Sequence, residues 1–308
     1  MKNVVVTGAA GFLGSHLTEQ LLSQGVTVYA PLRHPESVPE TIRTNPAFHM
    51  IHKDLNLLTP DGFPTDEPMD AFYHLAWNGV SPNMRNEFDI QRDNITLTMR
   101  AVEVASQLRC GKWIGAGTVA EYEMCRGTID PEKVASPNSL YGAAKVASFH
   151  MMRVSAKQKN LPWIWTILPS TFGERRDDES IISYTIRMLL QDREPVYGTL
   201  EQMWDFLYVK DVAKALYLIG EKGQAGKVYG VGSGIHKPLH AWIGSIRDAI
   251  APQAALGIGK NQTMSVRSFS SCVDTYDLVE DTGFVSDYTF EEGIRRTAAW
   301  FEERIKRS

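Results

Sequence analysis

The stretch Lys2-Asn3-Val4-Val5-Val6-Thr7-Gly8-Ala9-Ala10-Gly11-Phe12-Leu13-Gly14 decides the fold. Its consecutive valines are typical of a parallel strand that is buried on both faces. Three glycines follow, and the leucines from Ser15 to Ser23 then recur on one face of a predicted helix. Gly25 ends that helix, and residues 26–30 form a second apolar strand. The stretch therefore predicts a right-handed βαβ unit of about 30 residues.

The glycines of this unit are spaced as GxxGxxG, not as the more familiar GxGxxG. Glycine is often found in strand-to-helix turns for conformational reasons alone. This triplet, however, follows the first strand of a βαβ unit, where the backbone can approach a pyrophosphate at the helix N-terminus. We therefore expect a dinucleotide cofactor to lie against Gly8, Gly11, Phe12, Leu13 and Gly14.

Strands and helices keep alternating as far as residue 168. Further strands are predicted at 48–51, 71–75, 112–116 and 163–168, with helices at 87–108 and 141–159. Six strands alternating with helices predict an α/β fold, a doubly wound parallel sheet of the Rossmann type.

After Pro169 the regular alternation of strands and helices ends, and only residues 228–231 are again typical of a strand of the main sheet. We expect a dinucleotide-binding domain over residues 1–173, with returns at about 205–234. The remaining residues, 174–204 and 235–308, are predicted to form a smaller C-terminal substrate-binding domain.

Composition excludes several classes of protein. The chain has 308 residues, 43% of them hydrophobic, and a formal net charge of −4, so there is no basic field to hold nucleic acid or an anionic membrane. No apolar run approaches the roughly 18 residues of a membrane span. The three cysteines (Cys110, Cys125 and Cys272) are widely spaced and form no CxxC, so we expect no disulfide framework, no metal site and a cytoplasmic location.

Tyr141 and Lys145 carry the chemistry. They lie four residues apart in a predicted helix, so both side chains project from one face. A free tyrosine has a pKa near about 10, and a neighbouring lysine cation lowers it. Thr118, at the end of the fifth strand, offers a hydroxyl that can orient a substrate oxygen. Such a trio can move a proton while a hydride is transferred.

Several ordered fragments together resemble the extended branch of the short-chain dehydrogenase/reductase superfamily, which comprises nucleotide-sugar epimerases, dehydratases and ketoreductases. The resemblance covers most of the chain. It is carried by the glycine spacing and by Asp54-Leu55, His74-Leu75-Ala76, Asn94, Thr118, Tyr141–Lys145, Leu168–Gly173 and Asp205–Val212.

The resemblance implies catalytic roles for Thr118, Tyr141 and Lys145. It also implies homodimers that pair the helices at 87–108 and 141–159 into a four-helix bundle. The cofactor would contact the five residues of the glycine turn and Arg33, Asp54, Leu55, Leu75, Ala76, Tyr141, Lys145, Pro169 and Thr171.

The residues after Thr118 bear on the reaction. In the family's 4,6-dehydratases this threonine is followed by an acidic pair that handles protons at C5 and C6 of the sugar. Here those positions are Val119 and Ala120, neither of which exchanges a proton. Glu121 comes one position late, and we expect it to point elsewhere. Simple carbonyl reduction or oxidation and 4-epimerisation remain open.

The end of the second strand indicates which cofactor is used. An acid there accepts hydrogen bonds from the ribose 2′-hydroxyl, whereas an arginine favours a 2′-phosphate. This chain has Arg33 and no acid in residues 28–34, which favours NADP(H) and leaves NAD(H) possible. Asp54 is expected near the adenine edge, as in relatives.

On the substrate side, the chain departs from the family. Trp204 stands where relatives carry a diphosphate-binding arginine, and Ser170-Thr171 replaces an asparagine. Arg175 and Arg176 are candidates for the missing cation, or belong to a solvated loop. Trp77 either lines the sugar pocket or packs against other side chains as an ordinary aromatic residue. His74 is expected to be a hydrogen-bonded residue at a strand end and not a catalyst.

These features favour an NADPH-dependent reductase of the 4-keto group of a nucleotide-linked (dTDP-, CDP- or GDP-) 4-keto-6-deoxyhexose, with tyrosine as proton donor. An NAD-dependent nucleotide-sugar 4-epimerase is the alternative, and a reductase of another small carbonyl compound is a third. A regulator that senses the cofactor without turnover is disfavoured, because Thr118, Tyr141 and Lys145 are all retained.

Overall fold

The computed structural model describes residues 1–63, 67–176, 178–261 and 271–307. The strands are β1 (Asn3–Thr7), β2 (Thr27–Pro31), β3 (Phe48–Ile51), β4 (Ala71–His74), β5 (Trp113–Thr118), β6 (Trp163–Leu168), β7 (Ser170–Phe172), β8 (Met203–Trp204), β9 (Phe206–Tyr208), β10 (Val228–Gly230) and β11 (Lys237–Pro238). The helices are α1 (Phe12–Ser23), α2 (Glu40–Arg43), α3 (Phe88–Gln107), α4 (Leu140–Gln158), α5 (Ile181–Leu190), α6 (Val209–Lys222), α7 (Leu239–Ile250), α8 (Tyr276–Thr282) and α9 (Phe290–Arg307).

Seven strands form one parallel sheet in the order β3-β2-β1-β4-β5-β6-β10. The chain reverses its direction of travel across the sheet between β1 and β4. Thr7 at the end of β1 is in register with His74 at the end of β4. A crevice therefore opens beyond these two carboxyl ends, where doubly wound sheets bind their ligands. The predicted Rossmann fold is confirmed, with β10 as its last strand.

The valines of β1 show why this strand is central. Val4 and Val6 pack into a core that contains residues of α1 and α6, whereas Val5 packs into a second core with residues of α3 and α4. All three are completely buried. Helices therefore cover both faces of the sheet, as consecutive apolar residues in a strand require.

The first helix begins earlier than the sequence pattern indicated. We placed its start at Ser15, but α1 begins at Phe12, since Gly11 in extended conformation already serves as its N-cap. Phe12, Leu13 and Gly14 consequently form the first helical turn. They present the helix N-terminus directly to the crevice.

A third core joins α5, α7 and α9 to the short strands β7 and β9. It lies in the C-terminal part of the chain, and the predicted domain boundaries at 174–204 and 235–308 stay a prediction. Among the described helices, none combines the length and the apolar character needed to cross a bilayer.

Candidate functional site

Two adjoining clefts, of about 590 and 610 Å³, open at the carboxyl ends of β1, β4, β5 and β6. Both are lined by Gly8, Gly11, Leu75 and Trp77, so they meet at the end of β1. Every predicted site residue lines one or both of them. The first cleft also holds Arg33, Asp54, Leu55 and Ala76, and the second holds Phe12, Leu13, Gly14, Thr118, Tyr141, Lys145, Pro169, Thr171, Arg175 and Arg176.

The glycine turn has no room for side chains. Gly8 has a φ of +76°, and a Cβ there would lie 2.8 Å from the Ala76 nitrogen. A Cβ on Gly14 would lie 2.0 Å from the Gly8 carbonyl oxygen. Among the described residues no side chain caps α1, and its first turn carries no acid. The turn is therefore a cradle of backbone with a bare helix N-terminus, which fits the pyrophosphate of a dinucleotide.

The predicted catalytic residues come together in the second cleft. Thr118 ends β5, and Tyr141 and Lys145 lie in the first two turns of α4, whose N-cap is the Ser139 side chain. The Tyr141 hydroxyl is hydrogen-bonded to Thr118. The Lys145 ammonium donates to the Ala116 carbonyl oxygen at 2.6 Å. A hydroxyl pair that can bind one substrate oxygen thus stands beside a buried cation.

Burial and neighbouring charges set the proton affinities of this pair. Burial raises the pKa of Tyr141, while its hydrogen bond to Thr118 and the cations Arg85 and Arg176 lower it. Burial lowers the pKa of Lys145 to about 7, opposed by the negative charge of Glu121. Burial therefore makes the Lys145 ammonium easier to deprotonate, and the charge of Glu121 limits this effect.

Trp77 lies at the boundary between the two clefts. The Lys145 ammonium is 3.7 Å from the centroid of its ring, and the Tyr141 ring meets it edge-on at 6.0 Å. Its indole nitrogen donates to Gln91 Oε1 at 3.1 Å. Trp77 thus lines the second cleft and also packs on Tyr141 and Lys145, and its role in binding a sugar stays a prediction.

Arg85 was missed by the sequence analysis. Its guanidinium lies 5.1 Å from the centroid of the Tyr141 ring, and its Nη2 donates to Glu123 Oε1 at 2.8 Å. Glu123 also accepts from the Ser139 hydroxyl at 2.9 Å, and the Tyr141 amide donates to the Arg85 carbonyl oxygen. Arg85 and Glu123 tie the loop after β4 to the start of α4. No local pattern in the sequence marks either residue.

The two positions that hold acids in dehydratases line the second cleft as Val119 and Ala120. Glu121 is 2% exposed and does not line it. Its Oε1 instead accepts from the Thr118 amide at 2.8 Å and from the Trp165 indole at 3.3 Å. The expectation that Glu121 points elsewhere is confirmed, and the direction is into the protein interior.

At the end of the first cleft away from Trp77, a positive and a negative side chain lie together, Arg33 and Asp54. Arg33 Nε lies 3.9 Å from the Asp54 carboxylate, which was expected at the adenine edge. Asp54 thus supplies an acid next to Arg33 that the end of the second strand itself lacks. Further polar residues line this cleft and were not identified from the sequence, among them His34, Ser37 and Lys53.

The two arginines proposed for the diphosphate already have acidic partners. Arg175 Nη2 pairs with Glu19 at 2.5 Å, and Arg176 Nε pairs with Asp178 at 2.6 Å. Both still line the second cleft. Each is held by a carboxylate that the fold brings beside it, and a role for either arginine in binding the diphosphate stays a prediction.

Trp204 also lines the second cleft, and its indole nitrogen donates to the Ser170 hydroxyl at 2.9 Å. Trp204 and Ser170, two positions at which the chain departs from its relatives, are therefore hydrogen-bonded to each other. They form a neutral wall at the place where the family carries an arginine and an asparagine.

His74 is a hydrogen-bonded residue at the end of β4, as expected. Its ring nitrogens lie 3.0 Å from Thr7 Oγ1 and 3.2 Å from Thr98 Oγ1. Burial, helped by the Lys145 charge, lowers its pKa to about 3. Across the described ranges there is no group of three or more histidine, cysteine or acidic side chains placed to hold a metal ion.

Comparisons with known proteins agree with this geometry. The dTDP-glucose 4,6-dehydratase of Neisseria gonorrhoeae is 26% identical over 97% of this chain and 95% of its own length. The UDP-glucuronic acid 4-epimerase of Bacillus cereus, solved with UDP-glucuronic acid and NAD, superposes with a TM-score of 0.85 at 21% identity, covering 99% of this chain and all of that one. MoeE5, solved with UDP-glucuronic acid and NAD, gives a TM-score of 0.82 at 25% identity over 99% of this chain and 100% of that one.

The family described as NAD dependent epimerase/dehydratase matches residues 4–232. That range contains the glycine turn, Thr118, Tyr141 and Lys145. The chain belongs to the NAD dependent epimerase/dehydratase family and is an enzyme of the extended short-chain dehydrogenase/reductase type.

Proposed function

We propose that the enzyme oxidises and reduces C4 of a nucleotide-linked hexose without eliminating water, and that its reaction is a 4-epimerisation. One observation carries the proposal: Thr118, Tyr141 and Lys145 are assembled in one cleft whose dehydratase acid positions are Val119 and Ala120. Relatives that modify nucleotide sugars, including 4-epimerases of the same fold, support it.

The roles of the residues follow from their contacts. Tyr141 takes the proton of the C4 hydroxyl and later returns it, while Thr118 orients the same oxygen. Tyr141 must be a phenolate before it accepts this proton, and the Lys145 cation stabilises that phenolate. A bound nicotinamide cofactor, held by the glycine turn, supplies the hydride acceptor and donor. The sugar would pass through a 4-keto form, which must turn within the second cleft so that the hydride returns to the opposite face of C4 while Tyr141 returns the proton to the oxygen.

The absence of the acid pair argues against dehydration. Loss of water across C5 and C6 needs one group to remove a proton and another to protonate the leaving hydroxyl. Val119 and Ala120 can do neither, and Glu121 is directed into the interior. A 4-epimerase needs only Tyr141 and a reversible hydride step.

The identity of the cofactor, NAD or NADPH, distinguishes the two candidate functions, 4-epimerase and 4-ketoreductase. A 4-epimerase keeps its cofactor through the cycle and needs no 2′-phosphate contact. Asp54, placed beside Arg33, can accept hydrogen bonds from ribose hydroxyls and so favours NAD. The second candidate, NADPH-dependent reduction of a 4-keto-6-deoxyhexose, is favoured by Arg33, His34, Ser37 and Lys53, which together could bind a 2′-phosphate.

One experiment distinguishes these functions. The purified enzyme is incubated with UDP- and dTDP-linked hexoses, and separately with NADPH and 4-keto-6-deoxy nucleotide sugars. Products are identified by NMR and cofactor consumption by absorbance. A C4 epimer without net cofactor change supports the proposal. Stoichiometric NADPH oxidation would favour the reductase, and failure of both arms would overturn a nucleotide-sugar function.

The proposal includes a cytoplasmic homodimer. Helices α3 and α4 pack on each other and expose Phe88, Met151 and Val154, which are 64%, 49% and 57% accessible. An equivalent surface on a second copy would bury these side chains. The thiols of Cys110 and Cys125 are free, as in a reducing compartment. Light scattering measures the mass that tests the dimer.

A further inference from the structure

We propose that Glu121 is a positioning residue of the hydride-transfer site: its buried carboxylate fixes the backbone at Thr118 and supplies the negative charge that faces Lys145. The inference rests on the proposed function only for its catalytic consequence. The placement and charge of Glu121 stand independently of the substrate.

Hydrogen bonds from two different elements hold the Glu121 carboxylate in place. The Thr118 side chain and the Glu121 carboxylate cap the short helix Val119–Tyr122 reciprocally. The indole of Trp165, on β6, donates to the same carboxylate oxygen. A Cβ on Gly117 would lie 2.6 Å from that oxygen and 2.2 Å from the Trp165 nitrogen. Glycine at 117 therefore leaves the space that the carboxylate and the indole occupy.

A cap alone does not explain a buried carboxylate. Glutamine completes a capping box equally well, and it avoids the cost of burying a charge. Glu121 is 2% exposed and Lys145 is 5% exposed, so each is a buried ionisable group that needs an opposite charge. Burial raises the pKa of Glu121 to about 7, and the Lys145 charge opposes that rise.

The groups around this pair are few among the described residues. The Lys145 charge acts electrostatically on Glu121 and on His74 of β4, and the ammonium lies over the ring of Trp77. Glu121 also acts on the hydroxyls of Tyr141 and Tyr122. Glu121 is the negative charge that opposes the lowering of the Lys145 pKa by burial. Through Lys145 it acts on the phenolate of Tyr141.

The first test uses the cofactor-free protein and needs no substrate. Glutamate side chains are labelled with carbon-13 at the carboxyl, and the resonance missing in Glu121→Gln is assigned to Glu121. We expect it to titrate near pH 7. In Lys145→Met the midpoint should rise by about 1–3 pH units, because the opposing charge is gone.

Two variants keep this test decisive. Lys145→Arg retains the charge and should titrate close to the wild type if Lys145→Met fails to fold. Lys133→Met, at a lysine whose side chain is 71% exposed, should leave the midpoint unchanged. An ordinary glutamate midpoint in the wild type, or no difference between the lysine variants, would overturn the proposal.

The second test concerns catalysis. Glu121→Gln keeps an acceptor for the Thr118 amide and the Trp165 indole, so a purely structural role predicts an unchanged pH profile of kcat. Without the carboxylate, Lys145 loses its proton at lower pH. We therefore expect the alkaline limb of kcat to move down by about one pH unit or more. A profile identical to the wild type would refute the catalytic part. If no nucleotide sugar is turned over, the proposed function fails while the titration still tests Glu121.

Discussion

The Lys145 ammonium lies 3.7 Å from the centroid of the Trp77 indole, directly at the junction of the two clefts. A cation over an indole face is stabilised by about 2 kcal/mol or more when it is desolvated. The Ala116 carbonyl oxygen is its other close partner. This arrangement explains how a lysine that is almost fully buried remains available to support Tyr141. Trp77 lines both clefts, which the proposed function assigns to the cofactor and the substrate.

Replacement of Tyr141 by phenylalanine should leave folding and cofactor binding intact and lower kcat by roughly 10²–10⁴-fold, since the ring stays and the proton donor is lost. Steady-state kinetics and cofactor titration measure the two effects. Tyr276→Phe, at a residue that is 70% exposed, is the matched control and should be fully active. Near-native turnover in the Tyr141 variant would remove this residue from the mechanism.

Replacement of Arg33 by alanine should weaken NADPH binding and change NADH binding little. A hydrogen bond to a charged group contributes about 1.5–3 kcal/mol, which corresponds to roughly ten-fold or more in affinity. Titration of both reduced cofactors into the variant measures this. Arg43→Ala, at the exposed end of α2, is the control.

The same titration on the wild type separates the two candidate functions. Tighter NADH binding, or purification with NAD already bound, agrees with the epimerase. A clear preference for NADPH would favour the reductase instead. An Arg33 variant that binds NADPH as tightly as the wild type would show that Arg33 faces solvent.

Gly14→Ala should destabilise the fold, because its Cβ would lie 2.0 Å from the Gly8 carbonyl oxygen. Overpacking of this kind costs about 1–3 kcal/mol or more. Gly244→Ala, inside α7 with open space around it, should instead stabilise the protein by about 0.5–1 kcal/mol. Urea unfolding gives both free energies. Equal stability of the two variants would mean that the glycine turn is not tightly packed.

Acid should destabilise the enzyme through His74. Its pKa is lowered from 6.5 to about 3 in the folded protein, so the unfolded chain binds the proton more tightly. The contribution of His74 is fully present above pH 6.5 and is lost as the pH falls towards 3. It amounts to as much as about 1.4 kcal/mol per pH unit.

Unfolding free energies across that interval check the effect of His74. His74→Asn should flatten the dependence on pH, whereas His240→Asn, at an exposed position of α7, should leave it as in the wild type. Identical slopes in the wild type and the His74 variant would contradict the assignment.

The sequence was sufficient to predict the features that depend on residues close together in the chain. The valines of β1, the glycine turn and the spacing of Tyr141 and Lys145 predicted a Rossmann sheet and a catalytic trio. The start of α1 was placed three residues late, because a helix can begin on a glycine in extended conformation and the apolar pattern does not record this.

Contacts between distant segments could not be predicted in this way. Arg85 reaches Tyr141 from a loop 56 positions earlier, and Glu121 opposes Lys145 from another element. Arg33 finds Asp54 across neighbouring strands. Each of these contacts depends on how the strands of the sheet are aligned in three dimensions. A contact between residues far apart in the chain has no local sequence pattern from which it could be predicted.

Transfer of deuterium from C4 of a nucleotide-linked hexose tests the central claim most directly. The substrate carries deuterium at C4, and the enzyme is incubated with it in ordinary water. If hydride leaves and returns at C4 beside Tyr141, the epimerised product keeps its deuterium at C4 and its hydroxyl at C6. A 4-keto-6-deoxy product, or an epimer whose C4 deuterium has exchanged with water, would contradict the account.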